Sequence, residues 1–264
     1  MVGFQPSCAK WLIIATCLLG SVCGSQGEEV RPPKPAAEDI PLAKDAPGLT
    51  RLAKDFDLWL DMKNKRLFVD GEVVLREGQL ELFACPKGSK EHESVVSVQA
   101  KPQFVHAGLL ALGATPGSGV RFDPKYIPAK GPVVDIYVVW KDENGKQQIV
   151  RAQEWVKNLK TEKEMDHSWV FAGSGFWKDP DTGRTHYHAD VGDFICVSNF
   201  PTAMLDLPVD SPQENANLLF GAFTERIPPK GTKVRLVLIP RLEKKEAAAP
   251  KPGEPKLVDP KVGE

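Results

Sequence analysis

The sequence predicts an α+β fold of predominantly antiparallel β-strands, with one main amphipathic helix at residues 102–112 and disordered N- and C-terminal tails. Short segments in which apolar and polar residues alternate, bounded by turn residues, indicate the strands. One stretch has clear helical spacing of its apolar residues. Proline- and charge-rich segments flank the folded part, and a segment of that composition cannot bury a core.

The composition is that of a folded protein. The chain has 264 residues, of which 42% are hydrophobic and 26% charged, which allows one domain or two small ones. Its 34 lysines and arginines nearly balance 35 acidic residues, for a formal net charge of −1. Nucleic-acid-binding domains usually carry a basic excess, so we expect no nucleic-acid partner.

Residues 1–24 have the features of a signal peptide. Lys10 precedes the apolar run 11–22, which is as long as a signal-peptide hydrophobic region and shorter than the roughly 20 residues of a membrane-spanning helix. We therefore expect cleavage at the end of this segment and an exported protein, periplasmic or secreted. Two alternatives stay open, lipidation at Cys17 or Cys23 and an uncleaved anchor. In either case the N-terminal segment would be the membrane contact.

The rest of the chain divides by composition into three parts. Residues 25–46 are rich in proline, alanine and charge, and predict a disordered linker. Residues 47–242 contain the strand and helix signals and predict a single domain. Residues 243–264 resemble the linker in composition, with prolines that break any helix, and predict a disordered tail.

The first strands are predicted as a meander. A turn at 63–65 and a second turn at Asp70-Gly71 separate three short strands, and a later strand delivers Cys85 at its end, where Pro86 breaks it. These strands are predicted at 56–61, 66–69, 72–75, 79–84 and 93–98.

The stretch 102–112 is predicted as the main helix. Proline suits its first position, and Val105, Leu109 and Leu112 fall on one stripe. Gly113 is the expected cap. After the helix, Asn144-Gly145 between two apolar runs predicts a hairpin.

The last part of the domain is predicted as strands with one short helix. A connector at 156–166 leads to a hairpin around the turn 179–183. The predicted elements are strands at 133–140, 147–151, 169–176, 184–188, 193–197 and 233–239, and a short helix at 203–207.

Export would leave two cysteines in the mature chain. Cys8, Cys17 and Cys23 lie in the predicted signal, and Cys85 and Cys196 remain. The remaining pair allows one disulfide, two free thiols or metal ligation, and the sequence leaves all three open. Two cysteines cannot alone supply the four ligands of an iron–sulfur cluster, so we expect no such cofactor.

Cys85, His92 and His106 form a first candidate site. Cysteine, histidine and the carboxylates beside His92 could ligate zinc, and Cys85 could alternatively be a nucleophile with His92 or His106 as its base. The spacing fits no zinc-finger pattern. The structural alternative places His92 on an exposed loop and packs His106 against leucines of the helix with one hydrogen bond.

His186 and His188 form a second candidate site. On a strand these two side chains would point the same way and could share a metal ion, or they could simply face solvent on an edge strand. Cys196 lies on the next predicted strand. If Cys85 and Cys196 are neighbours in space, the two candidate sites become one, or the cysteines form a disulfide.

Several short runs carry a resemblance to a known family: Cys85-Pro86, KEHES at 90–94, LALG at 110–113, Pro116-Gly117, WVFAGSGF at 169–176 and ICVSNFP at 195–201. With these runs, residues 56–240 resemble the YdjY-domain secreted proteins of planctomycete-type bacteria, a family of unknown function. The resemblance implies one exported domain. A ferredoxin-like label attached to the family name would imply an iron–sulfur cluster, for which this chain lacks the cysteines.

The leading hypothesis is an exported, non-enzymatic binding or interaction domain that recognises an envelope protein or a small ligand. A full-length domain without a recognised catalytic motif supports it. One alternative is a metal-binding protein that uses cysteine and histidine ligands. The other is a cysteine-dependent enzyme with Cys85 as nucleophile.

Overall fold

The structure is a computed structural model that describes residues 1, 3 and 33–242. The predicted tail at 243–264 lies outside the described residues, and so does the predicted signal peptide at 1–24 apart from residues 1 and 3.

The described part of the chain consists mainly of β-strands. One α-helix, α1, spans Pro102–Leu112, and single 3-10 turns lie at Ala37–Asp39, Glu91–Glu93, Ala152–Trp155, His188–Val191 and Asn215–Asn217. The strands are β1 (Thr50–Arg51), β2 (Leu58–Asp61), β3 (Arg66–Val73), β4 (Leu82–Pro86), β5 (Ser94–Val98), β6 (Val133–Lys141), β7 (Gln147–Arg151), β8 (Val156–Asn158), β9 (Trp169–Phe171), β10 (Phe176–Lys178), β11 (Thr185–Tyr187), β12 (Ile195–Cys196), β13 (Leu205–Asp206), β14 (Phe220–Ala222) and β15 (Lys233–Pro240).

Eight of these strands close into a barrel. The order around it is β3–β15–β6–β9–β13–β12–β4–β5, and β5 pairs back onto β3. Most neighbours are antiparallel, while β4–β5 and β12–β13 are parallel. Strands β1 and β2 extend the sheet beyond β3, and β7 pairs with β6. The predicted α+β class is therefore wrong, because the closed sheet makes this an all-β fold.

Helix α1 spans the predicted residues, but it is not a main structural layer of the fold. Among the described residues α1 is the one helix of seven or more residues. It buries Val105, Leu109 and Leu112 in the main core and ends at Gly113, which adopts a left-handed conformation with φ of 103°. It covers part of the barrel and does not form a layer of its own. Sequence periodicity identifies a helix but does not show what it packs against.

Gly71 lies where the barrel closes. One edge of β3 pairs with β15, and the other edge is shared, with residues 66–69 on β2 and 71–73 on β5. A Cβ atom on Gly71 would lie 2.6 Å from the carbonyl oxygen of Ser97, so a glycine permits this close approach. The predicted turn at Asp70-Gly71 is wrong, since β3 runs through it without interruption.

The barrel is packed on both faces near β3 and β15. Side chains from all eight barrel strands form one core, which includes Phe83, Trp169 and Phe171. A second core lies on the opposite face of β2, β3, β15 and β6, and includes Trp59 and Phe68. Apolar side chains on this second face must be shielded from water. The N-terminal part of the described chain covers them.

Residues 37–49 form that cover. Ile40 is buried in the second core, and Leu42 and Leu49 pack against it. The side-chain amide of Gln147 donates to the carbonyl oxygen of Ile40 at 2.7 Å. Residues 37–46, part of the disordered linker predicted at 25–46, therefore pack on the domain. Apolar contacts of Ile40 and Leu42 and hydrogen bonds from Gln147 and Arg235 hold this segment on the apolar sheet face.

Both predicted hairpins are present, and one predicted helix is not. Strands β6 and β7 pair around Asn144-Gly145, and β10 pairs with β11 as a separate two-stranded ribbon. The region predicted as a short helix at 203–207 contains strand β13, which pairs with both β9 and β12. The connector at 156–166 contains β8, which pairs with β14.

Candidate functional site

A groove of about 820 Å³ lies on the outer face of the barrel where β3 and β15 pair. Side chains of β3, β5, β15, the end of β6 and the N-terminal cover line it. Its volume is within the range of small-ligand sites, roughly 300–1,000 Å³. Because most of its walls are paired strands, the lining side chains are held on a rigid support.

Positive charge exceeds negative charge in this groove. The cationic side chains are Lys44, Lys87, Lys141, Lys233 and Arg235, and the carboxylates are Asp57, Asp70 and Glu72. Five cations against three carboxylates give the lining a formal charge of +2. The lining also includes the exposed amide of Gln99 and the hydroxyl groups of Ser97 and Thr232, which donate to Glu91 and to the carbonyl oxygen of Pro229, respectively.

Two lysines share the carboxylate of Glu72. Lys87 Nζ lies 3.5 Å from Glu72 Oε1, and Lys233 Nζ contacts Oε2. The hydrogen bond from Lys233 lowers the pKa of Glu72, so this carboxylate is ionised at neutral pH. The lysine side chains are 57% and 80% exposed, respectively. Exposed pairs of this kind contribute about 1 kcal/mol or less, so an incoming anion can compete for either ammonium group.

Arg235 and Asp70 form the fixed floor of the groove. Arg235 donates from Nε to Asp70 Oδ1 at 2.6 Å and from Nη2 to Oδ2 at 2.9 Å. Its guanidinium carbon lies 4.7 Å from the centre of the Trp59 ring, and Nη1 donates to the carbonyl oxygen of Pro41. Arg235 is 1% exposed, so its partners are already within the protein. It attaches the N-terminal cover to the barrel.

A second hollow of about 410 Å³ adjoins the groove and shares Lys141 and Thr232 with it. Trp140 and the pair Pro228-Pro229 line this hollow, together with Asp142 and Glu143. The two hollows are therefore neighbours on the protein surface. The first is cationic, and the second combines an aromatic ring with carboxylates.

The two mature cysteines are free and buried. Cys85 and Cys196 lie on neighbouring strands in one small cluster with Leu82 and Ala203. Of the three states that the sequence leaves open for this pair, the disulfide is not formed in the structure. Burial raises the pKa of the Cys85 thiol and raises that of Cys196 well above its ordinary value. These are properties of structural cysteines, and an activated thiolate requires the opposite shift.

Lys90 links the loops next to these cysteines. Its Nζ lies 3.2 Å from Asp193, 3.6 Å from Glu93 and 3.7 Å from Glu81, and 4.2 Å from the centre of the Phe200 ring. Burial raises the pKa of Glu81, with a further contribution from the charge of Glu93. The Lys90 ammonium group lies between these three carboxylates, in the position that a bound cation would take. It links two loops.

The candidate histidines lie at separate places. His92 is exposed, with Nε2 at 3.6 Å from a carboxylate oxygen of the adjacent Glu93. His106 Nδ1 lies 2.9 Å from the hydroxyl of Tyr187, which itself donates to the carbonyl oxygen of Gly173. Desolvation lowers the pKa of His106. Its ring packs against the rings of Phe171 and Tyr187, whereas the structural alternative named leucines of the helix.

His186 and His188 do not form a shared pair on one strand. His186 stacks on Trp177, its partner at the middle of the β10–β11 ribbon, with ring centres 4.9 Å apart. His188 lies beyond the end of β11, in the following 3-10 turn. Within residues 33–242, no three histidine, cysteine or acidic side chains are grouped so that they could hold a metal ion. The candidate sites proposed from sequence therefore do not converge on one centre.

A buried polar network lies beside the cysteine cluster. Asp206 Oδ1 accepts hydrogen bonds from Asn199 Nδ2 at 3.1 Å and from the backbone amide of Leu207 at 2.8 Å, while Oδ2 has no partner within the described residues. Burial raises the pKa of Asp206 to about 7. Asn199 also accepts from Ser211, so this network fixes the ICVSNFP run against the following loop.

The groove residues were missed by sequence reasoning. Glu72, Lys87, Lys141 and Lys233 come from four separate segments and are brought together by the closure of the barrel. No spacing between them carries a signal. The alternation of charged and apolar residues in β3 and β15 could at most have shown that one face of these strands is polar.

None of the helices in the described part of the chain has the length and apolar character needed to cross a membrane.

Comparison with known families gives one result. The model of the YdjY domain matches residues 58–239, which run from β2 to β15 and contain every barrel strand. The chain belongs to the YdjY domain family. The function of this family is uncharacterised. No curated protein and no solved structure matches the chain significantly. Most of the groove lies inside the YdjY domain, while Leu42, Lys44 and Asp57 precede it.

Proposed function

We propose that this YdjY domain protein is a non-enzymatic binding protein of the cell envelope that holds a small polar ligand in the groove beside β3 and β15. The observation that carries the proposal is the groove itself, which has the volume of a ligand site and an excess of cationic side chains on a rigid wall. Its polar groups can orient a ligand without any of them being a recognised catalytic group.

Export is part of the same proposal. The apolar run 11–22 after Lys10, followed by small residues, supports cleavage of a signal peptide. The mature protein would then meet solutes and polymers outside the cytoplasm. Lipidation at Cys17 or Cys23 would give the same exposure from a membrane anchor.

The two alternatives from sequence receive less support. A cysteine-dependent enzyme needs an accessible thiolate beside a base, whereas Cys85 is buried and its pKa is raised. A metal-binding protein needs ligands that converge, whereas His106 and His186 contact aromatic rings and His92 lies exposed beside Glu93 in a 3-10 turn. A binding protein requires neither arrangement.

The test is a ligand panel on the full chain. Saturation-transfer difference NMR is recorded with glucose, glucuronate, glucose 1-phosphate, N-acetylglucosamine, glutamate and lysine. We expect at least one compound to bind, and Gln99→Trp, which places a large ring in the groove from an exposed position, to abolish its signal. Lys160→Trp is the matched control, since Lys160 is exposed and does not line the groove. Absence of binding, or binding that Gln99→Trp leaves unchanged, would contradict the proposal.

A further inference from the structure

We propose that the ligand is an anionic oligosaccharide whose carboxylate or phosphate group binds between Lys87 and Lys233. This inference rests on the proposed function of the groove and names the chemical class of its ligand. A carboxylated and a phosphorylated sugar present the same chemistry here, an anionic oxygen cluster on a hydroxylated chain.

The anion subsite follows from the charges around Glu72. One carboxylate contacts two ammonium groups, so one positive charge at this point is uncompensated. Lys141 adds a further exposed positive charge and forms no ion pair within residues 33–242. Arg235 is committed to Asp70 and holds the floor in place. An anion placed between Lys87 and Lys233 would share these ammonium groups with Glu72 and gain charge-assisted hydrogen bonds.

The remaining lining suits a hydroxylated chain. The exposed amide of Gln99 offers a donor and an acceptor beside the lysines. The hydroxyl of Thr232 donates to the carbonyl oxygen of Pro229 at 2.7 Å and can accept a further hydrogen bond from a ligand. The second hollow continues from Thr232 and Lys141 to the pair Pro228-Pro229, whose rings give an apolar surface that a sugar ring can cover. The Trp140 ring at this end packs against Trp155 and the main core. A ligand longer than one sugar unit can therefore occupy both hollows.

Asp142 and Glu143 give the ligand a direction. These carboxylates line the second hollow and repel an anionic group placed there. The anionic unit would therefore lie in the first groove, and an uncharged or weakly charged unit would lie beside Pro228-Pro229. A chain with negative charge on every unit would bind less tightly than one charged at a single end.

The test measures the affinity of the full chain by isothermal titration calorimetry. The probes are galactotrionic acid (galactotriose oxidised to a single carboxylate at its reducing end) for the carboxylate arm, galactose 1-phosphate for the phosphate arm and neutral galactotriose. We expect one or both anionic probes to bind more tightly than galactotriose and to weaken as salt is added. Each of Lys87→Gln and Lys233→Gln is expected to raise Kd by about two- to fivefold, the range for an exposed ion pair.

Glu72→Gln provides the sharpest result, because its expected effect has the opposite sign. Removing the competing carboxylate should lower Kd for the anionic probe by about two- to fivefold. Lys160→Gln and Glu162→Gln, two exposed residues outside the groove, are the matched controls and should leave Kd unchanged. Circular dichroism of each variant verifies the fold.

Three results would overturn the inference. If galactotriose binds as tightly as the anions and Gln99→Trp abolishes that binding, the ligand is not anionic, although the groove remains the ligand site. If anion binding is unaffected by Glu72→Gln and by both lysine variants, the anion binds elsewhere. If nothing in either the small-compound panel or this set binds in the groove, the proposed function fails together with the inference.

Discussion

Arg235 and Asp70 face each other across paired strands, joined by two hydrogen bonds of 2.6 and 2.9 Å. The same guanidinium contacts the Trp59 ring and the backbone of the N-terminal cover. One buried cation thus connects the floor of the groove, the second core and the segment that the sequence assigns to a linker. Such a group stabilises the fold only while every partner is present.

Replacement of Arg235 by lysine should destabilise the protein. Lysine cannot form the two-pronged contact with the half-buried Asp70, and its ammonium group would be left partly unpaired where Arg235 is fully buried, at a cost of about 2–4 kcal/mol. Urea unfolding of Arg235→Lys measures the loss. Arg121→Lys, at an exposed position, is the control and should change the unfolding free energy by about 0.5 kcal/mol or less. Equal stability of the two variants would contradict the role given to Arg235.

Gly71→Ala should weaken the closure of the barrel. The added methyl group would lie 2.6 Å from Ser97 O and 3.0 Å from the side chains of Val96 and Val98, so β3 and β5 must separate. We expect a loss of about 3 kcal/mol or more in thermal or urea unfolding. Gly175→Ala is the control, since its nearest contact, with His188, would be an ordinary 3.4 Å. A Gly71→Ala variant as stable as Gly175→Ala would show that the strands do not approach so closely.

The two thiols should be inert in the folded protein. Cys85 and Cys196 are fully buried and their pKa values are raised, so a disulfide reagent should label them only when the fold opens. Labelling should be slower than in denatured protein by a factor of about 10³ or more. Intact mass after alkylation under denaturing conditions should show both thiols modified. Rapid labelling of native protein at Cys85 would instead revive the cysteine-enzyme alternative.

Asp206 should make stability depend on pH. Its pKa is raised from 3.8 to about 7 by burial, so the native state binds this proton more tightly than the unfolded state. The unfolding free energy should therefore fall as pH rises from about 4 through about 7, by at most about 4 kcal/mol. Asp206→Asn, which keeps the acceptor oxygen for Asn199 and Leu207, should remove this fall. Urea unfolding at several pH values measures it.

The control for that experiment is Asp166→Asn, which removes a carboxylate from an exposed position. It should retain the decline in stability that the parent protein shows over the same pH range. A decline of equal size in Asp206→Asn would mean that another group causes it.

Local signals predicted local structure well in this chain. Asn144-Gly145 predicted its hairpin, and Pro102 with Gly113 predicted both ends of the helix. Gly71 shows where such reasoning failed, because a glycine that permits close approach of two strands has the same sequence signature as a glycine in a turn. Barrel closure depends on the pairing of β3 with β5 and β15, which no short-range pattern encodes.

The groove could not be predicted from the sequence for the same reason. Sequence reasoning selected cysteines and histidines for their chemistry, and the structure places them in cores, ring contacts and loops. The groove depends instead on Glu72, Lys87 and Lys233, which are ordinary surface residue types from distant segments. Their significance comes from position, which becomes visible only when the fold is known.

The most direct test of the account is an NMR titration of isotopically labelled full chain with galactotrionic acid, which carries one carboxylate at one end. Backbone amide signals should shift most at Lys87, Ser97, Gln99 and Lys233, with a smaller effect at Trp140, because these residues line the two hollows. Saturable shifts confined to these positions would support a groove that binds an anionic sugar chain. Shifts centred on Trp177 and His186 of the β10–β11 ribbon, with the groove signals unchanged, would contradict it.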